Sequence, residues 1–310
     1  MYKSFFGLSA NPFGASPDPR FLFLRPQIRE ALACLQYGIA ARKGFVVMTG
    51  EVGTGKTTLL RAVLDTFAKG RISTAFIFNP RLEVLDFFEF VLTDFGIPIA
   101  SRTKSGMLLQ LNHWLIERYR AHQLCAIIID EAQNLSLELL EEIRLLTNLE
   151  TSSEKLVQIV LSGQTELEEK LYHPSLLQLR QRVSLWCKTQ PLTKEETQAY
   201  VKERLRIAGA SQPVLLPEAV ELVYRYSNGI PRIINLLCEN TLIFAYAEQI
   251  NPIPAHIVES VGLELDIVQH PFTISYSAMQ ALMRRTLQTN MENSIMPVAD
   301  SADSRKECEI

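Results

Sequence analysis

Residues 50–57, GEVGTGKT, decide the fold of this chain. They follow a short apolar run, GFVVMTG, and they open a stretch, GKTTLLRAVLDTFAKG, with the apolar spacing of a helix. A glycine-rich loop between a strand and a helix is the pattern of a phosphate-binding loop. The glycines allow backbone N–H groups to turn inward towards phosphate oxygens, and the helix that follows presents the positive end of its dipole to the same place.

This loop predicts a site for ATP and Mg²⁺. Lys56 is expected to reach the β- and γ-phosphates, and Thr57 is expected to supply a hydroxyl group to the metal ion. A glycine-rich turn that binds nothing is the alternative, and the strand and helix on either side disfavour it. The residues of the loop predicted to contact the nucleotide are Gly50, Glu51, Val52, Gly53, Thr54, Gly55, Lys56, Thr57 and Thr58.

A second motif, CAIIIDEAQN at residues 125–134, places two acids after an apolar strand. Asp130 is expected at the carboxyl edge of the sheet beside the phosphate loop, where it would hold Mg²⁺. Glu131 is expected to orient and polarise a water for attack on the γ-phosphate. An acidic loop without such a role is one alternative. A switch that binds ATP and signals with little turnover is another, and Glu131 speaks against it.

Polar side chains elsewhere in the chain are further candidates for the site. The strand QIVLSGQ, residues 158–164, ends at Gln164, which is favoured to lie between the two loops and touch the attacking water; a plain turn residue is an equal alternative. Arg180 and Arg182 precede the fifth apolar strand, and an arginine from a neighbouring subunit can stabilise the transition state of phosphoryl transfer. From spacing alone, surface residues explain both arginines, and a solvated helix end explains Arg232.

Strand and helix patterns alternate five times before residue 190, which predicts a five-stranded parallel sheet covered by helices. From Pro191 the strand patterns stop and four helical stretches follow, the first opened by a capping box from Thr193 to Glu196. The predicted fold class is α/β, an αβα sandwich of the phosphate-loop NTPase type with a C-terminal all-α lid. The predicted parts are an ordered loop segment (1–30), the nucleotide-binding domain (31–190), the helical lid (191–265) and a partly disordered tail (266–310).

The first segment is rich in Phe, Pro and Gly, and its aromatic side chains are expected to dock on the core. A net charge of −3 argues against a strongly basic surface that coats nucleic acid, although a local basic patch stays open. The five cysteines form no CxxC pair, so neither zinc nor a disulfide framework is expected. No apolar run approaches the roughly 18 residues of a membrane span, and the start does not resemble a signal peptide, so a cytoplasmic protein is expected.

Taken in order, GEVGTGKT, IIIDEAQN, LRQRV and NGIPRIIN resemble the motifs of the AAA+ ATPases. The longer stretches MYKSFFGLSANPF, SPDPRFLFL, GEVGTGKTTLLR, DEAQNLS and KLVQIVLSGQTEL are similar to those of the general secretion pathway protein A ATPases, the ExeA type. This resemblance covers roughly residues 1–265. It implies an ATP-hydrolysing αβα domain with a helical lid, and a homo-oligomer with nucleotide at the subunit interfaces.

The resemblance also implies roles for individual residues. Arg182 matches the arginine finger better than Arg180, because Arg182 directly precedes the strand. Gln164 falls near the sensor 1 position, which is often an Asn in other members. Arg232, in GIPRIIN, matches sensor 2, where it would touch the γ-phosphate from the lid, so that ATP closes the lid and hydrolysis releases it.

The expected role is assembly or remodelling of a protein partner in bacterial secretion or envelope biogenesis, with attachment to the inner membrane through a partner left open. The rival is a transposition-regulator ATPase that forms oligomers on duplex DNA. Such a protein needs a basic stripe facing the DNA. The candidates for that stripe are few and mixed with acids, so a solvated helix face is favoured. They are Arg102, Lys104, Arg118 and Arg120.

Overall fold

The computed structural model describes residues 2–68, 72–78 and 80–267. Its strands are β1 Phe45–Gly50, β2 Ile72–Ile77, β3 Leu124–Ile129, β4 Gln158–Gly163 and β5 Leu185–Thr189. All of their pairings are parallel, in the order β2-β3-β4-β1-β5, which confirms the predicted five-stranded parallel sheet. The strand that leads into the phosphate loop therefore has β4 on one side and β5 on the other.

Alternate residues of the central strands point to opposite faces of the sheet and build two cores. Val46 and Met48 of β1 pack against the helices α2 Pro26–Ala40 and α3 Lys56–Ala68. Phe45 and Val47 face the other core. The helices on that second face are α4 Val84–Asp94, α5 Lys104–Arg120, α6 Leu137–Leu146, α7 Thr165–Leu171 and α8 Leu177–Gln181. Because helices cover both faces, the central strands are apolar throughout.

Four helices follow the sheet, as predicted, and they share a core of their own. They are α9 Lys194–Ile207, α10 Pro217–Ser227, α11 Pro231–Ala247 and α12 Ala255–Glu264. The predicted capping box is present at the start of α9. The Thr193 hydroxyl accepts from the N–H of Glu196 at 3.2 Å, and the Glu196 carboxylate accepts from the N–H of Thr193 at 3.0 Å.

The N-terminal segment docks on the helical domain. Phe6, Phe13 and Phe21 are buried in the same cluster as side chains of the four C-terminal helices. Arg204 of α9 donates to the carbonyl oxygen of Pro12, and its guanidinium lies 4.8 Å from the centre of the Phe21 ring. The aromatic side chains thus anchor the segment as predicted, and the core that receives them is that of the lid.

The segment is less of a loop than its composition suggests. A short helix, α1, runs over Tyr2–Phe5, and a 3₁₀ turn covers Pro19–Phe21. The helix α2 begins at Pro26, and proline is well suited to the first turn of a helix.

Arg25 joins three parts of the chain at the boundary between the two domains. Its buried guanidinium donates to the carbonyl oxygens of Gln190 and Pro191, which lie on the link between β5 and α9. The same group pairs with the Glu196 carboxylate at 2.5 Å. The N-terminal segment, the interdomain link and the lid are therefore fixed to one another by one side chain.

The helical domain extends slightly beyond its predicted end at residue 265. The N–H of Ile267 donates to the carbonyl oxygen of Gly262 at 3.1 Å, and the Ile267 side chain is buried with Leu265. The rest of the predicted tail, 268–310, lies outside the described residues.

Candidate nucleotide-binding site

The loop between β1 and α3 has the backbone that the glycine pattern predicted. Gly53 and Gly55 adopt φ values of +79° and +97°, in a region that L-residues rarely occupy. Helix α3 begins directly after the loop at Lys56, so the unpaired N–H groups of its first turn lie beside it. Such a loop is suited to binding an anion.

The loop is braced from β5. The Thr54 hydroxyl donates to the carbonyl oxygen of Glu51 at 2.8 Å and lies 2.7 Å from the hydroxyl of Thr189, the last residue of β5. Gly50 passes so close to this residue that an added Cβ would lie 2.0 Å from the Thr189 hydroxyl oxygen. Thr189 was not identified from the sequence, because only the strand order brings the end of β5 beside the loop.

Lys56 is held within the loop that it follows. Its buried ammonium group donates to the carbonyl oxygens of Gly50 at 2.8 Å and Glu51 at 2.9 Å. Burial lowers the pKa of Lys56, while the carboxylates of Glu131 and Asp130 act in the opposite direction. The lysine is thus kept at the mouth of the loop, as its predicted role requires.

Asp130 lies directly against the loop, as predicted. One of its carboxylate oxygens, Oδ2, accepts a hydrogen bond from the Thr57 hydroxyl at 2.6 Å. The other, Oδ1, accepts from the Ser162 hydroxyl at 2.8 Å and from the N–H of Glu131 at 3.1 Å. Asp130 is only 4% exposed, so these hydrogen bonds fix its position. Ser162 ends up on Asp130, and Gln164 does not.

Glu131 has a different set of partners. Its carboxylate oxygen Oε2 accepts from the side-chain amide of Gln164 at 3.2 Å, so Gln164 lies directly beside the second acid. The same oxygen accepts from the amide of Gln133 at 2.6 Å. Gln133 was not identified from the sequence. Its position two residues after the acid is the signal that could have identified it.

The pair Thr57 and Asp130 suits a magnesium ion. Both contribute oxygen atoms, and Mg²⁺ in nucleotide sites prefers one or two carboxylates together with water and phosphate oxygens. Within the described residues there is no group of three or more His, Cys, Asp or Glu side chains arranged to hold a metal. The described residues therefore do not form a metal site from protein ligands alone.

An open cleft of about 190 Å³ lies over the loop. Its walls come from the phosphate loop, from the turn after β4 and from the helical domain. The residues that line it are Glu51, Val52, Gln164, Thr165, Glu166 and Ile230. The remaining predicted loop residue, Thr58, lies half-buried in the first turn of α3.

Arg232 lies where the helical domain meets the loop. Its backbone N–H donates to the carbonyl oxygen of Gly53 at 3.2 Å, while its side chain is exposed. In the part of the chain that the structure describes, the guanidinium has no hydrogen-bond or ion-pair partner. A free cation beside a phosphate loop is compatible with the predicted contact to phosphate.

The two finger candidates lie apart from this cluster. Arg182 donates to the Thr147 hydroxyl at the end of α6 at 2.9 Å. Arg180 lies over the ring of Tyr172, 4.7 Å from its centre. Their contacts are with their own surroundings and not with Lys56, so within one chain neither arginine completes the site.

Two of the four candidates for a basic stripe lie beside carboxylates. Lys104 pairs with Glu142 at 2.6 Å, and Arg102 approaches Glu89 at 4.0 Å. Arg118 lies over the ring of Trp114, 4.9 Å from its centre. Arg120 is exposed at the end of α5. Among the described residues, Arg118 and Arg120 have no carboxylate partner, and two such arginines are a small footprint for duplex DNA.

Residues 39–171 match the family described as AAA domain. The chain is 39% identical over 283 residues to general secretion pathway protein A of Aeromonas hydrophila, a match that covers 91% of this chain and 52% of that protein. The chain thus spans about half the length of this curated relative.

The fold is similar to solved structures of low sequence identity. Cdc6p from Pyrobaculum aerophilum has a TM-score of 0.61 at 15% identity, over 96% of this chain and 86% of that one. ORC2 from Aeropyrum pernix, in ADPNP–ADP complexes, has a TM-score of 0.57 at 17% identity, over 79% and 71% of the two chains. RuvB from Thermotoga maritima, a Holliday junction branch migration motor, has a TM-score of 0.53 at 17% identity, over 78% and 70%.

At these identities the likeness concerns the fold alone. No helix among the described ranges is both long and apolar enough to cross a membrane.

Proposed function

We propose that this chain, which contains an AAA domain and is similar to general secretion pathway protein A, hydrolyses ATP with Mg²⁺ as an oligomer and uses the cycle to assemble or remodel a protein partner. The observation that carries the proposal is the contact between Thr57 and Asp130 at the edge of the phosphate loop. It joins the two magnesium-ligand candidates directly beside Lys56 and Glu131.

The proposed roles follow from the chemistry of these groups. The loop and Lys56 bind the phosphates, and Thr57 and Asp130 would hold Mg²⁺, which when bound neutralises charge that develops on the phosphate oxygens. Glu131 polarises the attacking water, and Gln164 helps to orient that water. The hydrogen bond from Gln164 to Glu131 supports this assignment, since it places both groups at one point.

Two arginines extend the site beyond the αβα domain. Arg232 would contact the γ-phosphate from the lid. That role is supported by its position beside the loop and by a guanidinium that has no partner among the described residues. Arg182 would act on the ATP of a neighbouring subunit, where a positive charge stabilises the transition state. Its position away from Lys56 in the same chain supports an action across an interface.

The partner is proposed from the relative alone. General secretion pathway protein A gives the secretion context, and this chain covers about half of it. We therefore place the protein partner in bacterial secretion or envelope assembly. Binding to duplex DNA is the rival outcome. It is disfavoured because Lys104 and Arg102, two of the four basic candidates, lie beside carboxylates.

The proposal is tested by the steady-state ATPase rate of the purified chain over a concentration series, with and without duplex DNA. A shared site predicts that the rate per subunit rises with concentration. A protein partner in place of DNA predicts that the rate does not respond to DNA. Stimulation by DNA that fades with added salt would replace the partner proposal with the DNA-binding alternative. A rate per subunit that is constant with concentration would contradict the shared site.

A mixing experiment tests the finger. Arg182→Ala alone and Glu131→Gln alone are both expected to be inactive. Mixed, they should recover activity, because a Glu131→Gln subunit can offer its Arg182 to the intact Glu131 of a neighbour. Arg180→Ala alone is the matched control and should retain activity. If Arg180→Ala were as inactive alone as Arg182→Ala, and were rescued equally by Glu131→Gln, the assignment of Arg182 would be wrong.

A further inference from the structure

The turn that follows Asp130 has an unusual backbone conformation. Glu131 adopts a left-handed conformation at φ +54°, and a 3₁₀ turn covers Ala132–Asn134. This conformation is energetically unfavourable for a residue other than glycine, so contacts with the surrounding structure must stabilise it. This turn carries the acid on which the proposed hydrolysis depends.

The side chain of Gln133 connects two loops of the site. Its amide nitrogen donates to Oε2 of Glu131 at 2.6 Å, and its amide oxygen accepts from the backbone N–H of Gln164 at 3.1 Å. An added Cβ on Gly163 would lie 2.9 Å from that oxygen, so the glycine leaves the room that Gln133 needs. Both polar ends of one amide are therefore engaged, each on a different loop.

Lys170 of α7 fixes the turn through its backbone. Its ammonium group donates to the carbonyl oxygens of Gln133 at 2.5 Å and Leu135 at 2.8 Å. The backbone of the turn is thus held independently of the Gln133 side chain. The amide of Gln133 is therefore left to link the Glu131 carboxylate to the backbone of Gln164.

We propose that Gln133 is a positioning residue for ATP hydrolysis: it fixes the Glu131 carboxylate and couples it to the Gln164 loop. The inference rests on the proposed function, in which Glu131 polarises the attacking water. The two contacts need one hydrogen-bond donor and one acceptor on the same side chain. A Glu carboxylate can only accept, and Leu can do neither, so neither residue could replace Gln133. A small displacement of a catalytic group can cost about 100-fold in rate.

The test compares Gln133→Leu, Gln133→Asn and Gln133→Glu with Asn134→Ala. Asn134 lies exposed in the same turn and serves as the matched control. We expect kcat to fall by about 10- to 100-fold for Gln133→Leu, with KM for ATP and the Kd of ADP within about twofold of wild type. Gln133→Asn, which keeps the amide, should retain more activity than either other substitution, and Asn134→Ala should match wild type.

Coupling to Glu131 separates positioning from a merely structural role. In single-turnover assays, adding Gln133→Leu to Glu131→Gln should cause no further loss, because a positioning residue acts only through the group it positions. A further loss as large as in wild type, or a rise of the ADP Kd with the fall in kcat, would overturn the inference. So would wild-type activity of Gln133→Leu while Glu131→Gln is inactive. Activity retained by Glu131→Gln itself would instead overturn the proposed function.

Discussion

The backbone N–H of Arg232 donates to the carbonyl oxygen of Gly53 at 3.2 Å, so the helical domain touches the phosphate loop directly. The contact is made by main-chain atoms, and the side chain of Arg232 is exposed. In the proposed function, the lid responds to the conformation of the loop through this backbone contact and to the charge of the nucleotide through the Arg232 side chain.

Gly53→Ala should disrupt that contact. A Cβ at this position would lie 2.7 Å from Cβ of Arg232 and 3.0 Å from the Ile230 side chain, at a φ of +79°. We expect the affinity for ADP to fall by about tenfold or more, since roughly 1.4 kcal/mol of strain already corresponds to a factor of ten. Isothermal titration calorimetry measures this directly.

The matched control is Gly14→Ala. A Cβ there would have its nearest neighbours at 3.9 Å, in the side chain of Asn11, and no unusual φ is required. Equal ADP affinities for Gly53→Ala and Gly14→Ala would show that the loop and the lid can separate at no cost.

Arg232→Ala tests the other half of the relationship. The backbone contact to Gly53 stays, and only the exposed charge is lost. We expect kcat to fall by roughly 100-fold, as for the loss of one group that stabilises transition-state charge, while the Kd of ADP changes by less than about threefold. Arg225→Ala, which removes an exposed arginine paired with Glu221 on α10, should leave both values unchanged. A parallel loss of ADP and ATP affinity would assign Arg232 to general phosphate binding.

The sequence predicted the parts of the site that are local in the chain. The loop from Gly50 to Thr57 and the acids Asp130 and Glu131 each follow a strand, and parallel strands bring their carboxyl ends to one edge. The partners of these groups could not be predicted in the same way. Ser162 and Thr189 reach the site because β4 and β5 flank β1, and strand order is not written in hydrophobic periodicity.

The N-terminal segment shows the same limit. Its aromatic residues predicted that the segment docks on a core. That core is formed by helices much later in the chain, as the hydrogen bond from Ser9 to Ala208, 199 residues away, illustrates. Such pairings depend on shape and volume in the folded domain, which a single sequence pattern does not report.

Thr189→Val should weaken the brace under the phosphate loop. The substitution keeps the volume of the side chain but removes the hydroxyl that lies 2.7 Å from the Thr54 hydroxyl in a buried place. Losing one partner of a buried hydrogen bond costs about 1–3 kcal/mol. Urea denaturation should show this loss in the free energy of unfolding, and Thr189→Ser, which retains the hydroxyl, should recover most of it. Equal stabilities of the Val and Ser variants would mean that the hydroxyl pair contributes nothing.

Glu239 gives a prediction for pH. This residue of α11 accepts hydrogen bonds from the Tyr2 hydroxyl at 2.8 Å and the Asn11 amide at 3.0 Å, both on Oε1. Its Oε2 atom is buried and has no hydrogen-bond partner among the described residues. Burial raises the pKa of Glu239, and the two hydrogen bonds offset only part of that effect. The folded state therefore holds its proton more tightly than the unfolded chain does.

A raised pKa contributes stability that is present at low pH and is lost as the pH rises through the folded-state value. Gln in place of Glu239 keeps an oxygen that accepts from Tyr2 and Asn11 but carries no charge. We therefore expect Glu239→Gln to gain stability relative to wild type as the pH is raised from 4.5 to 8, measured by urea denaturation at each pH. Glu248→Gln, at the exposed end of the same helix, reports what removal of a solvated carboxylate does. If the difference between Glu239→Gln and wild type were the same at both pH values, or moved in the opposite direction, Glu239 would not be a buried acid that links the N-terminal segment to the lid.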